Sequence, residues 1–222
     1  MNGTFLFGGD RFGPEQDFAA TYRALGGRHL PDDVVRHSVR SCCETLGVIY
    51  EDGARCDSFP AVLETLRDLP TTRDVPEPEL VLLERVIAEH ECGTVPETHA
   101  WALRTLAATH RLGLIANIIS RKEPWLEEFA RASVLALFET MVFSSDGCSI
   151  KPSRKLFDQA VGAMRAPRSD VVFVGDSLRC DIGGAAGAGL ASIWIDRSGR
   201  GRRPGDPEPT FVIRDLCELI ET

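Results

Sequence analysis

The chain has 222 residues, 43% of them hydrophobic, and a formal net charge of −8. That apolar content supports a full core in one α/β domain with an insertion, or in two small domains, and no apolar run reaches the length of a membrane span. The charge is uneven: residues 15–91 hold 16 acids against 8 arginines while the remainder is neutral, and a negative surface of this kind argues against a nucleic-acid partner.

Residues 4–7, Thr-Phe-Leu-Phe, form a short apolar strand candidate, followed by Gly8-Gly9, Asp10 and Pro14. From residue 15 to about 92 the periodicity is helical. Phe18, Tyr22 and Leu25 share one face; Val35, Val39 and Cys42/Cys43 share another; Phe59 to Leu66 and Leu80 to Ile87 suggest a third and a fourth helix. From Val95 the pattern changes to strands alternating with helices. A helix over 97–110 precedes LGLIAN (Leu112 to Asn117), which reads as a buried strand with a polar end. A helix through Trp125 and Phe129 leads to a short strand at Met141 to Phe143, then SSDGCSIKP and a helix carrying Leu156, Phe157, Ala160 and Val161. Such alternation implies a parallel sheet with right-handed crossovers.

The most informative stretch is VVFVGDSLRCDIGGAAGAGL, Val171 to Leu190. A buried strand ends at Gly175, Asp176 stands at its mouth, and Asp181 opens a Gly/Ala-rich helix. Open α/β folds bind ligands at this end of a strand, and paired carboxylates there suit a hard divalent cation such as Mg²⁺. A further strand at Ser192 to Ile195 and a short strand and helix over 211–221 complete the chain. Between them, the Arg-rich loop 197–209 reads as solvated surface in preference to an anion site.

The seven cysteines are odd in number and contain no CxxC pair. The N-terminal MNGTFLF lacks a basic region followed by a long apolar stretch. Both features fit free thiols, no secretory signal and a cytoplasmic setting.

The GDSxxxDIxGAxxAG pattern resembles the fourth motif of the haloacid dehalogenase (HAD) superfamily. The resemblance implies a Rossmann-like parallel-sheet core, residues 1–14 and 93–222, with an N-terminal helical cap, residues 15–92. It also implies a phosphatase-type hydrolase acting on a small phosphorylated metabolite with Mg²⁺ held by Asp176 and Asp181. Lys151 in IKPSRKLF is similar to the family's charge-neutralising Lys, and it is one of only three lysines against 22 arginines. Asn117, Lys151 and Ser177 are the expected substrate contacts.

Two positions depart from the family pattern. Ala116 stands where the second motif carries Ser or Thr. No DxD occurs near the N-terminus, and three registers remain open there: Gly8 in the nucleophile's place, Leu6 in its place, or Asp10 itself as the nucleophile. The expectation is therefore a phosphatase-like hydrolase, weak or inactive, with Asp10 and Lys151 as catalytic residues. The alternatives are a non-catalytic relative, a pseudoenzyme binding a ligand or a partner protein through the old cleft, and a different chemistry on the same scaffold; a homodimer is a further expected association.

Overall fold

Residues 15–92 contain four α-helices and no strand in the computed structural model, which describes residues 1–220: α1 (Phe18–Ala24), α2 (Asp32–Glu51), α3 (Val62–Asp68) and α4 (Glu77–Glu91). Asp17 caps α1 by accepting the Ala20 N–H. Asp32 and Asp33 occupy the first turn of α2, where the helix dipole favours negative charge. Val35, Val39, Cys42 and Leu46 recur at helical spacing on α2 and are buried. They pack with Phe18, Tyr22, Val62, Leu66, Leu80, Leu83 and Ile87 in an apolar cluster that also takes Ile150 from the later part of the chain.

Beyond α4 the elements alternate. α5 (Glu97–Ala107) leads to β1 (Leu112–Ala116), α6 (Glu123–Arg131) to β2 (Phe138–Phe143), and α7 (Arg154–Met164) to β3 (Val172–Gly175). A π-turn over Leu178–Ile182 runs into the short α8 (Gly183–Gly187), followed by β4 (Ala191–Ile195) and β5 (Phe211–Ile213). All strand pairs are parallel: β1 with β2, then β3 with β4 and β4 with β5. They form a two-stranded and a three-stranded sheet, with no ladder between β1 and β3.

The two sheets nevertheless share their cores. Leu114, Ala116, Phe143 and Ile195 pack with Trp125 and Phe129 of α6, with partly buried Val174 against them. Alternate residues Ile115 and Val142 pack with Leu156 and Phe157 of α7 and Ala185 of α8, with Phe173 against them. The period-2 alternation of the strands thus divides their side chains between two helical layers.

The expected strand at residues 4–7 does not form. Gly3 and Gly8 adopt positive φ, +79° and +76°, which Gly takes without steric cost. The N–H groups of Thr4, Phe5 and Leu6 all converge on the Met1 carbonyl. The segment is a tight turn held by an isolated bridge between Asn2 and Leu6 and an antiparallel one between Phe7 and Thr94. Curling locally satisfies these backbone groups without a neighbouring strand. Among the described residues no two of the seven cysteines form a disulfide, and no helix is long and apolar enough to cross a membrane.

Candidate active site

A cavity of about 400 Å³ opens between the helical segment and the carboxyl ends of β1 and β3. Its wall brings together Asp10, Asn117, Lys151, Asp176, Ser177 and Asp181, all of the residues proposed from sequence. It also includes Met1, Asn2, Tyr50, Cys180 and Glu91.

Asp176 follows the last residue of β3. Its Oδ1 accepts a hydrogen bond from Thr4 Oγ1 at 3.2 Å, and its backbone carbonyl accepts one from Trp194 Nε1 at 3.0 Å. Gly3 lies so close that a Cβ there would collide with the Asp176 carboxylate. Gly175 has the same relation to Asp181, so the glycine before Asp176 makes room for the second acid.

Asp181 is almost fully buried and both its oxygens are engaged. Lys151 Nζ donates to Oδ1 at 2.6 Å, and the Ser177 N–H donates to Oδ2 at 2.9 Å. Burial pushes its carboxyl upward, but Lys151, the nearby N-terminal ammonium and these hydrogen bonds outweigh it, and the net direction is down. Lys151 Nζ also donates to the Ile115 carbonyl at the end of β1, at 3.3 Å, and sits 5.6 Å from the Phe173 ring centroid. The ammonium therefore ties the end of β1 to the turn after β3.

Asn117 positions Lys151 from the other side. Its Oδ1 accepts the Lys151 N–H at 2.7 Å; its Nδ2 donates to the Lys151 carbonyl at 3.2 Å and to Tyr50 Oη at 3.4 Å. The amide is spent on the protein itself. Ser177 Oγ accepts the Cys180 N–H at 3.1 Å and caps the π-turn. Ala116 is fully buried at the end of β1 and brings no hydroxyl to the cavity.

The first segment reaches the cavity through Met1, Asn2 and Asp10. Leu6 is buried in the core and Gly8 is exposed, and neither lines the cavity. Asp10 adopts φ +56° and accepts a hydrogen bond from Asn2 Nδ2. It is exposed in area, yet it lines the cavity; lost hydration raises its carboxyl above its ordinary value, against the pull of Asn2.

Glu91, the last residue of α4, is not among the residues proposed from sequence. It is buried and accepts hydrogen bonds from the Ile119 N–H (2.7 Å), the Ser120 N–H (3.1 Å) and Ser120 Oγ (2.6 Å). Burial drives its carboxyl up to about 7, with Asp10 adding to the rise and the three donors opposing it.

Among the described residues Lys151 is the only cationic side chain on the wall, where Met1 also brings its N-terminal amine, against Asp10, Glu51, Glu91, Asp176 and Asp181. The arrangement fits a hard divalent cation. The acidic donors are all oxygen, and Asp176 Oδ2 makes no hydrogen bond among the described residues. Asp181 carries a donor on each oxygen and its side chain is 4% exposed, which makes Asp176 the more open ligand. His99, Asp215 and Cys217 also approach within 4.8 Å of one another, at the C-terminal turn. There Asp215 is already engaged by Arg197 at 2.8 Å and by the Cys217 N–H at 3.0 Å, and none of the three lines the cavity. The arginines of loop 197–209 also stay off the cavity wall: Arg197 lies 4.5 Å over Phe7, Arg200 5.9 Å from Trp194, and Arg202 pairs with Glu208 at 3.2 Å.

Residues 150–219 match the HAD-hydrolase-like family. The chain is 30% identical over 182 residues to a glyceraldehyde 3-phosphate phosphatase of Pyrococcus abyssi, covering 77% of this chain and 73% of that protein. It is 32% identical over 118 residues to the pyrimidine 5′-nucleotidase YjjG of Escherichia coli, 53% of this chain and 51% of that protein. The chain spans about half the length of the first curated relatives it matches. Among solved structures, the putative HAD-hydrolase YfnB of Bacillus subtilis bound to magnesium aligns with a TM-score of 0.58 at 19% identity, over 92% of this chain and 90% of that one. The chain belongs to the HAD-like hydrolases, and the curated relatives it matches are of phosphatase type.

Proposed function

We propose that the cavity binds the phosphate group of a small phosphorylated metabolite and, with Mg²⁺, hydrolyses it slowly. The observation that carries this reading is the placement of Lys151, Asp176 and Asp181 on one wall of a cavity of about 400 Å³, with Lys151 fixed at 2.6 Å from Asp181. Asp176 would hold the cation, with Asp181 behind it; the ion, when bound, supplies positive charge to offset that of the phosphoryl oxygens. Lys151 adds the second positive charge. Asn117 and Asp181 hold it in position, so neutralisation needs little rearrangement. Asp10 is the carboxylate of the first segment that faces this wall, and it is the proposed nucleophile. Its left-handed backbone and its hydrogen bond from Asn2 fix where it points.

A second reading, binding without turnover, is favoured by one observation: Ala116 leaves the end of β1 without a hydroxyl donor. Hydrolysis of an aryl phosphate with Mg²⁺ separates the two. On the catalytic reading, Asp10→Asn lowers the rate at least tenfold. Equal residual rates in wild type and variant, on extensively purified protein, would leave the binding reading standing.

The cation assignment is tested apart from turnover. Calorimetric titration with Mg²⁺ should show weak binding, since few uncommitted carboxylates face the ion. Asp176→Asn should weaken it at least tenfold. Identical heats for the two proteins remove Asp176 as a ligand.

A further inference from the structure

Resting on the phosphate-binding reading, we propose that the cavity takes a phosphate monoester whose organic part is uncharged and apolar, seated against the face of α2 made by Cys43, Leu46, Gly47 and Tyr50. These four residues recur at intervals of three, one and three. They therefore lie on one side of the helix, and all four line the cavity. Phe12, Ile119 and Ile150 continue the apolar surface.

The polar tip of this wall is already occupied. Tyr50 Oη accepts from Asn117 Nδ2 at 3.4 Å and lies 3.3 Å from Cys180 Sγ. Burial pushes the Cys43 thiol up, so it stays neutral. What remains for a ligand is hydrocarbon and ring surface, which favours apolar groups over solvated ones.

A second anionic group on the ligand would find no free cationic side chain on the wall, and the Met1 amine already donates to Thr4 Oγ1 at 3.2 Å. Lys151 is held by Asp181, and no other cationic side chain lines the cavity. Arg179 lies outside the lining, 5.1 Å from the Tyr50 ring and 3.8 Å from Glu51. A carboxylate near the mouth would instead face the exposed Glu51, which repels it.

Gly47 is the point where this wall is left open. A Cβ built there meets nothing within 4 Å, so a side chain would project into free space without disturbing the helix. Gly47 is exposed as well as lining the cavity, so this open space adjoins the proposed seat of the organic group and supplies a clean test. Gly47 makes no contact with the proposed cation or phosphate residues, and replacing a helical Gly favours the helix.

The experiment titrates wild type, Gly47→Ala and Gly47→Leu with phenylphosphonate, methylphosphonate and phosphonoacetate at saturating Mg²⁺, by calorimetry. Phenylphosphonate should bind wild type at least tenfold more tightly than methylphosphonate, and phosphonoacetate no more tightly than methylphosphonate. Gly47→Leu should remove the phenyl advantage while methylphosphonate stays within twofold, and Gly47→Ala should fall between. Phosphonoacetate binding as tightly as phenylphosphonate, or an unchanged phenyl advantage in Gly47→Leu, overturns the proposal. Methylphosphonate binding with no preference for phenyl defeats this inference alone. No binding by any of the three defeats the phosphate reading, and this one with it.

Discussion

Lys151→Met should destabilise the protein by about 3–5 kcal/mol at neutral pH, because it removes the paired cation, the largest of those acting on the buried Asp181 carboxylate. The Lys151 and Asp181 side chains are only 6% and 4% exposed, so solvent cannot take over the ammonium's role. The Ile115 carbonyl loses its donor at the same time. Lys151→Met combined with Asp181→Leu should recover most of the loss, since replacing a whole buried ion pair costs far less than breaking it. The sign of the pH dependence follows from Asp181, whose folded-state carboxyl lies below its ordinary 3.8. In wild type its stabilisation is present above 3.8 and is lost as pH falls through the depressed folded value. In Lys151→Met the unpaired carboxyl moves upward and takes a proton more readily, so the penalty should shrink between about pH 7 and pH 4. Urea unfolding of the three proteins across that range measures both effects. A single-variant loss under about 1 kcal/mol would mean that Lys151 and Asp181 do not form a closed, desolvated pair.

The position of Asp176 and Asp181 around one turn is legible in the sequence because it is local, whereas Lys151 reaches Asp181 from 30 residues earlier. A run of apolar residues ends at Gly175, and the turn that follows is capped within five residues by Ser177 and Asp181. The four helices over 15–92 are legible for a similar reason, since their buried faces repeat at helical spacing. The first segment is not. An apolar run of four residues reads as a strand, but a strand needs a neighbour. Glycines at both ends let this one curl onto the Met1 carbonyl instead. The Asn2-Gly3 turn dipeptide is the available signal for it, and it places Asn2 and Thr4 beside Asp10 and Asp176. Asn117 reads as a substrate contact from its place at a strand end. Its amide is consumed by the Lys151 backbone, which no local pattern reveals. Tyr50 and Glu91 escape a sequence reading because only the packing of α2 and α4 against the β1 loop brings them to the cavity. On sequence alone Glu91 is one acid among sixteen in residues 15–91.

Glu91 should make stability fall by about 3 kcal/mol as pH rises from 4.5 to 8, as read from the difference between wild type and Glu91→Gln. Its carboxyl is raised from 4.5 to about 7 in the folded protein, chiefly by burial. Between those values the folded state binds a proton that the unfolded state has released. Stability therefore declines as pH rises, by about 1.4 kcal/mol for each pH unit crossed between the unfolded and folded values. Glutamine does not titrate, so its curve lacks this decline. Other groups, including His90, whose ring is lowered mainly by burial and gains stability as pH rises, contribute to both curves and cancel in the difference. The amide also places an NH₂ where the carboxylate accepted hydrogen bonds. Leaving a buried donor of the 119–120 loop unsatisfied should cost about 1–3 kcal/mol at all pH values. Chemical unfolding at half-unit intervals of pH resolves the offset from the slope. A difference that is flat in pH would place the Glu91 carboxyl near its ordinary value. A difference that grows with pH would mean that the three donors hold Glu91 as an anion, and that the loop beneath the cavity is anchored by charge.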